Sequence, residues 1–163
     1  MWRWLSSGAE VHKANLILGA LMLLCSCAAS RTDWDRQMEL HQKSIDAYEQ
    51  GDKNASLLFI DSVVAINPRA VAAWSHKGRV EVELGRDLDG FASYNRSIQI
   101  LEAGSEPLPR GSGQWIGRMY QERGLLKLKF GDTAGAVQDQ KVGQKYLDQK
   151  VMSWRYRMFG IGR

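Results

Sequence analysis

Two glycines, Gly51 and Gly85, stand thirty-four residues apart, and small residues precede them at the same interval, Ser44 and Gly78. SIDAYEQGDKNASLLFIDSVVAINP (44–68) aligns with GRVEVELGRDLDGFASYNRSIQIL (78–101). A third copy, GLLKLKFGDTAGAVQDQKVGQKYL (124–147), keeps the spacing through Gly124 and Gly131 but is displaced by twelve extra residues. A unit of this length cannot bury its apolar face alone, so copies must stack on one another.

Local chemistry predicts two helices per copy. Small residues at 44, 78 and 124 allow close helix approach. The glycines at 51, 85 and 131 suit the left-handed backbone that follows a helix end. Asp52 and Asp132 then stand where an acceptor caps the next helix. Asn67-Pro68 reads as a cap followed by proline at the first helical position. Six helices are expected, at 33–50, 53–67, 70–84, 87–102, 114–130 and 133–149. Three prolines and 25% charged residues agree with an all-α chain.

The pattern resembles the tetratricopeptide repeat, a helix–turn–helix unit. The second copy carries it best, with Trp74, Gly78, Gly85, Gly90, Tyr94 and Ser97 at the family's aromatic, small and turn positions. The first copy has Leu40, Ser44, Gly51, Ser56, Ile60 and Val63, closed by Pro68. The third has Tyr120, Gly124, Gly131, Ala136, Gln140 and Gly143, and departs from the family at Gln140. The resemblance implies an all-α, short right-handed solenoid of three repeats (37–70, 71–104 and 117–150) with a C-terminal cap. Repeat packing would then rest on Trp74, Gly78, Gly85, Gly90, Tyr94, Tyr120, Gly124, Gly131 and Ala136.

The first twenty-six residues read differently. ANLILGALMLL (14–24) is an uncharged apolar stretch behind Arg3 and Lys13, too short to span a membrane and the right length for an export signal. Leu24-Cys25-Ser26-Cys27 resembles a bacterial lipobox. That resemblance implies cleavage after Ser26, a diacylglycerol thioether with palmitate-type chains on Cys27, and a short linker over 27–36. Ala28, where some lipoproteins carry aspartate, resembles outer-membrane sorting. A plain secretory leader cut after Ala29 and a short buried helix are the competing readings. The chain has two cysteines, Cys25 and Cys27, so lipidation leaves no thiol for disulfides or zinc.

No catalytic constellation appears: no phosphate-cradling glycine motif, no HExxH and no cysteine pair of metal-site spacing. An enzyme is not expected, and neither is a cofactor. His41 and His76 lie one repeat apart plus one residue, so both approach the inner surface. A metal needs more ligands, and they read as two separate polar-face histidines.

The family's first helices line a concave face, which implies a groove for a protein or peptide segment. Mapped here, it comprises Met38, His41, Ile45 and Tyr48, then Ala72, Ser75, Arg79 and Val82, then Arg118, Gln121, Leu125 and Leu128, with Trp34 extending the stripe upstream. An amphipathic or partly acidic segment would suit this surface. In so short an array, part of the stripe is also a candidate for core or for cover by the chain's own ends. The lysine–asparagine clamp of the family's chaperone-tail binders is missing: His41, Ile45, His76, Arg118 and Glu122 stand there, and only Arg118 fits.

Two segments depart from the repeat. The Pro/Gly/Ser-rich insert (105–116) reads as a connector or functional loop. The tail (151–163) mixes Trp154, Tyr156 and Phe159 with arginines and reads as a cap or an interfacial contact. Net charge is +4, mild enough that an export signal outweighs it, and no nucleic-acid partner is expected. The expectation is an envelope-anchored adaptor or scaffold in assembly of a bacterial envelope, pilus or secretion complex, on the outer membrane facing the periplasm. The alternatives are an accessory subunit that positions an envelope enzyme, or a cytosolic adaptor if residues 1–26 are a core helix.

Overall fold

The computed structural model describes residues 32–104 and 111–159, with side chains as far as Asp148. Cys27, the leader, residues 105–110 of the insert and the side chains of the tail lie outside the described residues. The chain divides into two compact units, Met1–Glu39 and Leu40–Arg163. In the first, residues 32–39 are helical, with Trp34 and Met38 59% and 48% exposed. The second opens with helical residues 40–49, called α1. It continues through α2 (Lys53–Ile66), α3 (Val71–Glu83), α4 (Asp87–Glu102), α5 (Gly113–Lys129) and α6 (Thr133–Phe159).

Short glycine turns join the two helices of each hairpin. Gly51, Gly85 and Gly131 have φ of 86°, 77° and 88°, a region that costs other residues energy. Two of the turns are followed by an aspartate cap. Asp52 Oδ1 accepts from Ala55 N at 2.9 Å, and Asp132 Oδ1 accepts from Gly135 N at 2.8 Å. Asn67-Pro68 does not start a helix. The Asn67 side chain accepts from Arg69 N at 3.0 Å, the chain turns there, and α3 begins at Val71. Trp74 Nε1 donates to Pro68 O at 3.0 Å and holds that turn against α3. The sixth helix runs through Phe159 rather than ending near 149.

The same two positions bring the helices of each hairpin together. In the first they are Ser44 and Ser56, where Ser44 Oγ donates to Ser56 O at 2.8 Å. In the second they are Gly78 and Gly90. A Cβ on Gly78 would lie 3.0 Å from the Tyr94 ring, and one on Gly90 would lie 2.9 Å from Gly78 O. In the third they are Gly124 and Ala136, where a Cβ on Gly124 would lie 3.3 Å from Ala136 O. Two apolar clusters follow from this spacing. One centres on Ile60, Val63 and Val80, the other on Tyr94, Ile98, Ile116 and Met119.

The second and third hairpins also share an internal polar cluster. Lys77, Glu81 and Ser93 occupy the positions of Arg123, Lys127 and Asp139 in the next copy. In the second, Ser93 Oγ donates to the buried Glu81 at 2.6 Å and Lys77 pairs with Glu81 at 2.9 Å. In the third, the acid has moved to the other helix. Asp139 is 1% exposed and takes two bonds from Arg123, at 2.6 and 2.7 Å, with Lys127 at 3.1 Å. Two cations and the bidentate geometry offset the cost of burying that carboxylate.

Candidate protein-binding groove

The first helices of successive hairpins lie side by side and turn one face outward. His41, Ile45, Tyr48 and Glu49 on α1 meet Ala72, Ser75, His76 and Arg79 on α3, at the three- and four-residue spacing of one helix face. Trp115 on α5 closes the end. Together they line a pocket of about 330 Å³. A second pocket of about 140 Å³ adjoins it through Arg79 and is lined by Val82, Glu83, Glu122, Leu125 and Leu126.

The two histidines that read as separate stand together. Their ring centroids are 6.2 Å apart, and Tyr48 meets the His76 ring edge-on at 5.4 Å. Ser56 Oγ and His76 Nε2 lie at hydrogen-bonding distance, 3.3 Å. Burial, then His41 and Arg79, holds His76 down to about 4, and burial also lowers His41. Both rings are therefore neutral at pH 7 and offer a weakly polar floor rather than charge. Among the described residues no three His, Cys, Asp or Glu side chains gather as a metal would need.

The charges around this floor are mostly engaged. Tyr48 Oη donates to Glu83, which also pairs with Lys53 at 2.9 Å. The Tyr48 bond, with help from Lys53, holds the Glu83 carboxyl below its usual range. Burial first, then Glu83, raises the Tyr48 phenol. Arg79 Nε faces Glu122 at 3.7 Å, and Tyr94 Oη donates to the same carboxylate. Burial, then Glu122, pushes the Tyr94 phenol well up, which keeps it a donor.

Of the residues mapped from the repeat, His41, Ile45, Tyr48, Ala72, Ser75 and Arg79 come together in the larger pocket, and Val82 and Leu125 line the smaller. Arg118 is exposed and Gln121 half-buried, and neither lines these two pockets. Gln121 Cγ would lie 3.2 Å from a Cβ on Gly143, so that side chain runs along α6. Trp34 and Met38 belong to the other unit. Glu49 and Trp115 were not mapped as groove residues, and His76 and Glu122 were placed only at the positions of the missing clamp. His76 and Glu49 follow mapped positions by one residue, a signal that the wide face of a helix would have supplied. Trp115 falls inside the insert, where the repeat register is lost.

No family model matches the chain, and no curated protein matches it. Solved structures do. A crystal structure of MamA superposes with a TM-score of 0.57 at 19% identity, covering 71% of this chain and 61% of that one. The N-terminal domain of stress-induced protein-1 from C. elegans gives 0.57 at 16% identity, covering 73% and 94%. A second MamA structure gives 0.55 at 16% identity, covering 78% and 60%. The fold is a tetratricopeptide-type helical repeat. The chain spans about three fifths of the MamA chains. At this identity the likeness is one of fold. Within that tetratricopeptide-type fold, the pockets lie on the face formed by the first helices of successive hairpins. Among the described residues no helix is long and apolar enough to cross a membrane.

Proposed function

We propose that this chain is a protein-binding adaptor, tethered through lipid on Cys27 to a bacterial envelope membrane. Its place is the outer membrane facing the periplasm, where it serves assembly of an envelope, pilus or secretion complex. One observation carries the binding role. Side chains from α1, α3 and α5 converge on a single pocket with an aromatic and apolar lining. Such a surface holds an extended or helical segment through a few anchors and excludes water around them. The tether rests on the leader sequence alone, and the client system on resemblance to short repeat lipoproteins.

The test is a photo-crosslinking residue in place of Ala72, which is exposed and lines the pocket. The control replaces Leu58 on α2, 67% exposed and outside both pockets. In intact cells the Ala72 position should trap a discrete partner protein that the Leu58 position does not. Identical adducts at both positions, or none at Ala72, overturn the groove as the binding surface.

A further inference from the structure

The charges that line the two pockets are three carboxylates, Glu49, Glu83 and Glu122, against one guanidinium, Arg79. Their partners differ. Arg79 is matched by Glu122 across to α5, and Glu122 is further held by Tyr94. Glu83 is matched by Lys53 and by the Tyr48 hydroxyl. Glu49 is exposed at the rim of the larger pocket, and among the described residues its side chain, alone of the four, has neither an ion pair nor a hydrogen bond.

We infer that the segment this groove takes is cationic and apolar, with a lysine or arginine seated against Glu49 and apolar side chains in the two pockets. The inference rests on the groove reading above and specifies the partner's chemistry. An acidic segment would meet a cation that is already paired with Glu122, and at the rim it would be repelled by Glu49, while Glu83 and Glu122 are already engaged. A cationic segment meets an unmatched carboxylate at the rim. It also meets the rings of Tyr48 and Trp115, whose faces attract an ammonium or guanidinium. The neutral floor of His41 and His76 opposes neither. Ile45 and Ala72 in the first pocket, and Val82 and Leu125 in the second, supply the apolar surface on either side of Arg79. Of the amphipathic or partly acidic segment expected from the sequence, the groove therefore favours an amphipathic one that is cationic.

The experiment uses the full chain and a set of fluorescein-labelled peptides. All share one pattern of leucine and phenylalanine, with lysine, glutamate or glutamine at the remaining positions. Binding is read by anisotropy for the wild type and for Glu49→Gln, which keeps the shape and removes the charge. The lysine peptide should bind tightest, and added salt should weaken it. Glu49→Gln should weaken the lysine peptide by roughly three- to fivefold, the scale of a partly exposed ion pair, and leave the glutamine peptide unchanged. Tighter binding of the glutamate peptide overturns the inference and leaves the groove reading standing. So does a Glu49→Gln protein that binds the lysine peptide as the wild type does. If no peptide binds, the inference falls, and the Ala72 crosslink decides whether the groove reading falls with it.

Discussion

Gly117 on α5 and Gly143 on α6 oppose each other so closely that neither has room for a side chain. A Cβ on Gly117 would lie 2.8 Å from Gly143 O, and one on Gly143 would lie 2.7 Å from Gly117 O. Leu147 Cγ also lies 2.7 Å from the Cβ position of Gly117, but backbone stands in the way on both sides, so no rotamer change relieves it. Gly117→Ala should therefore destabilise the protein by about 1–3 kcal/mol. Gly78→Ala should cost less, because its new methyl would meet the Tyr94 ring at 3.0 Å, and a ring can shift. Urea midpoints order the two variants. A Gly78 variant less stable than the Gly117 variant would show that the α5–α6 contact yields more easily than its geometry implies.

Asp139 ties the last hairpin together by accepting from Arg123 and facing Lys127, both on α5. Replacing it by alanine leaves two cations beside a buried site with no counter-charge. Breaking such a pair costs about 3–5 kcal/mol. Asp139→Ala should lower the urea midpoint more than Asp61→Ala, which removes an exposed partner of Lys77 while Glu81 remains. Similar midpoints for the two would mean that Arg123 and Lys127 find water instead.

The paired histidines make stability depend on pH, with a definite sign. His76 faces His41 and Tyr48 on α1, Ser56 on α2, and Arg79 and Glu83 on its own helix. Its folded value is about 4 against 6.5 for the free side chain. Between those values the unfolded chain binds a proton that the folded chain does not. The contribution is thus fully present above the free value and is lost as pH falls toward the folded one. The slope is at most about 1.4 kcal/mol per pH unit, and the lowered His41 acts in the same direction. Denaturation at about pH 7.5 and about pH 5 should show this loss, and His76→Gln should reduce it. An equal pH dependence in variant and wild type would locate the titrating group elsewhere.

Tyr48 and Arg79 separate packing from binding. Tyr48 is half-buried, packs against the first apolar cluster and donates to Glu83, so Tyr48→Ala should cost stability as well as capture. Tyr48→Phe keeps the ring and should cost about 0.5–1.5 kcal/mol. Arg79 is 31% exposed on its side chain with one loose ion pair, so Arg79→Ala should change stability by less than about 1 kcal/mol. If Arg79→Ala melts with the wild type yet changes the Ala72 crosslink, the arginine acts on the partner. An unchanged crosslink would confine it to the pairing with Glu122.

Cys27→Ser tests the tether. The lipid would be covalent and the cysteine precedes the helical array, so the variant should leave the membrane fraction while the repeats still fold. Retention after a high-salt wash would contradict lipid attachment at this residue.

The thirty-four-residue spacing was enough to read the all-α repeat class and the order of the helices, because glycine turns and small contact residues act over one or two helical turns. The resemblance to the repeat family, rather than the spacing, put His41, Ile45, Tyr48, Ser75 and Arg79 on the stripe it implies for the groove. Properties set between helices stayed hidden. Asn67-Pro68 carries the same residues as a helix start, and only the bond from Arg69 N to Asn67 shows a turn instead. His41 and His76 share a floor because α1 and α3 lie side by side, a distance no local pattern contains. The third hairpin follows a displaced register, so the approach of Glu122 to Arg79 was invisible along the chain. Burial, pairing and net charge at a groove depend on which side chains meet across helices. The sequence by itself determined an all-α helical repeat, since backbone propensity and periodicity are local. Only the tertiary structure decided that Arg79 meets Glu122 while the Glu49 side chain at the rim has, among the described residues, no ion pair, since electrostatic matching is a property of atoms brought together from three helices.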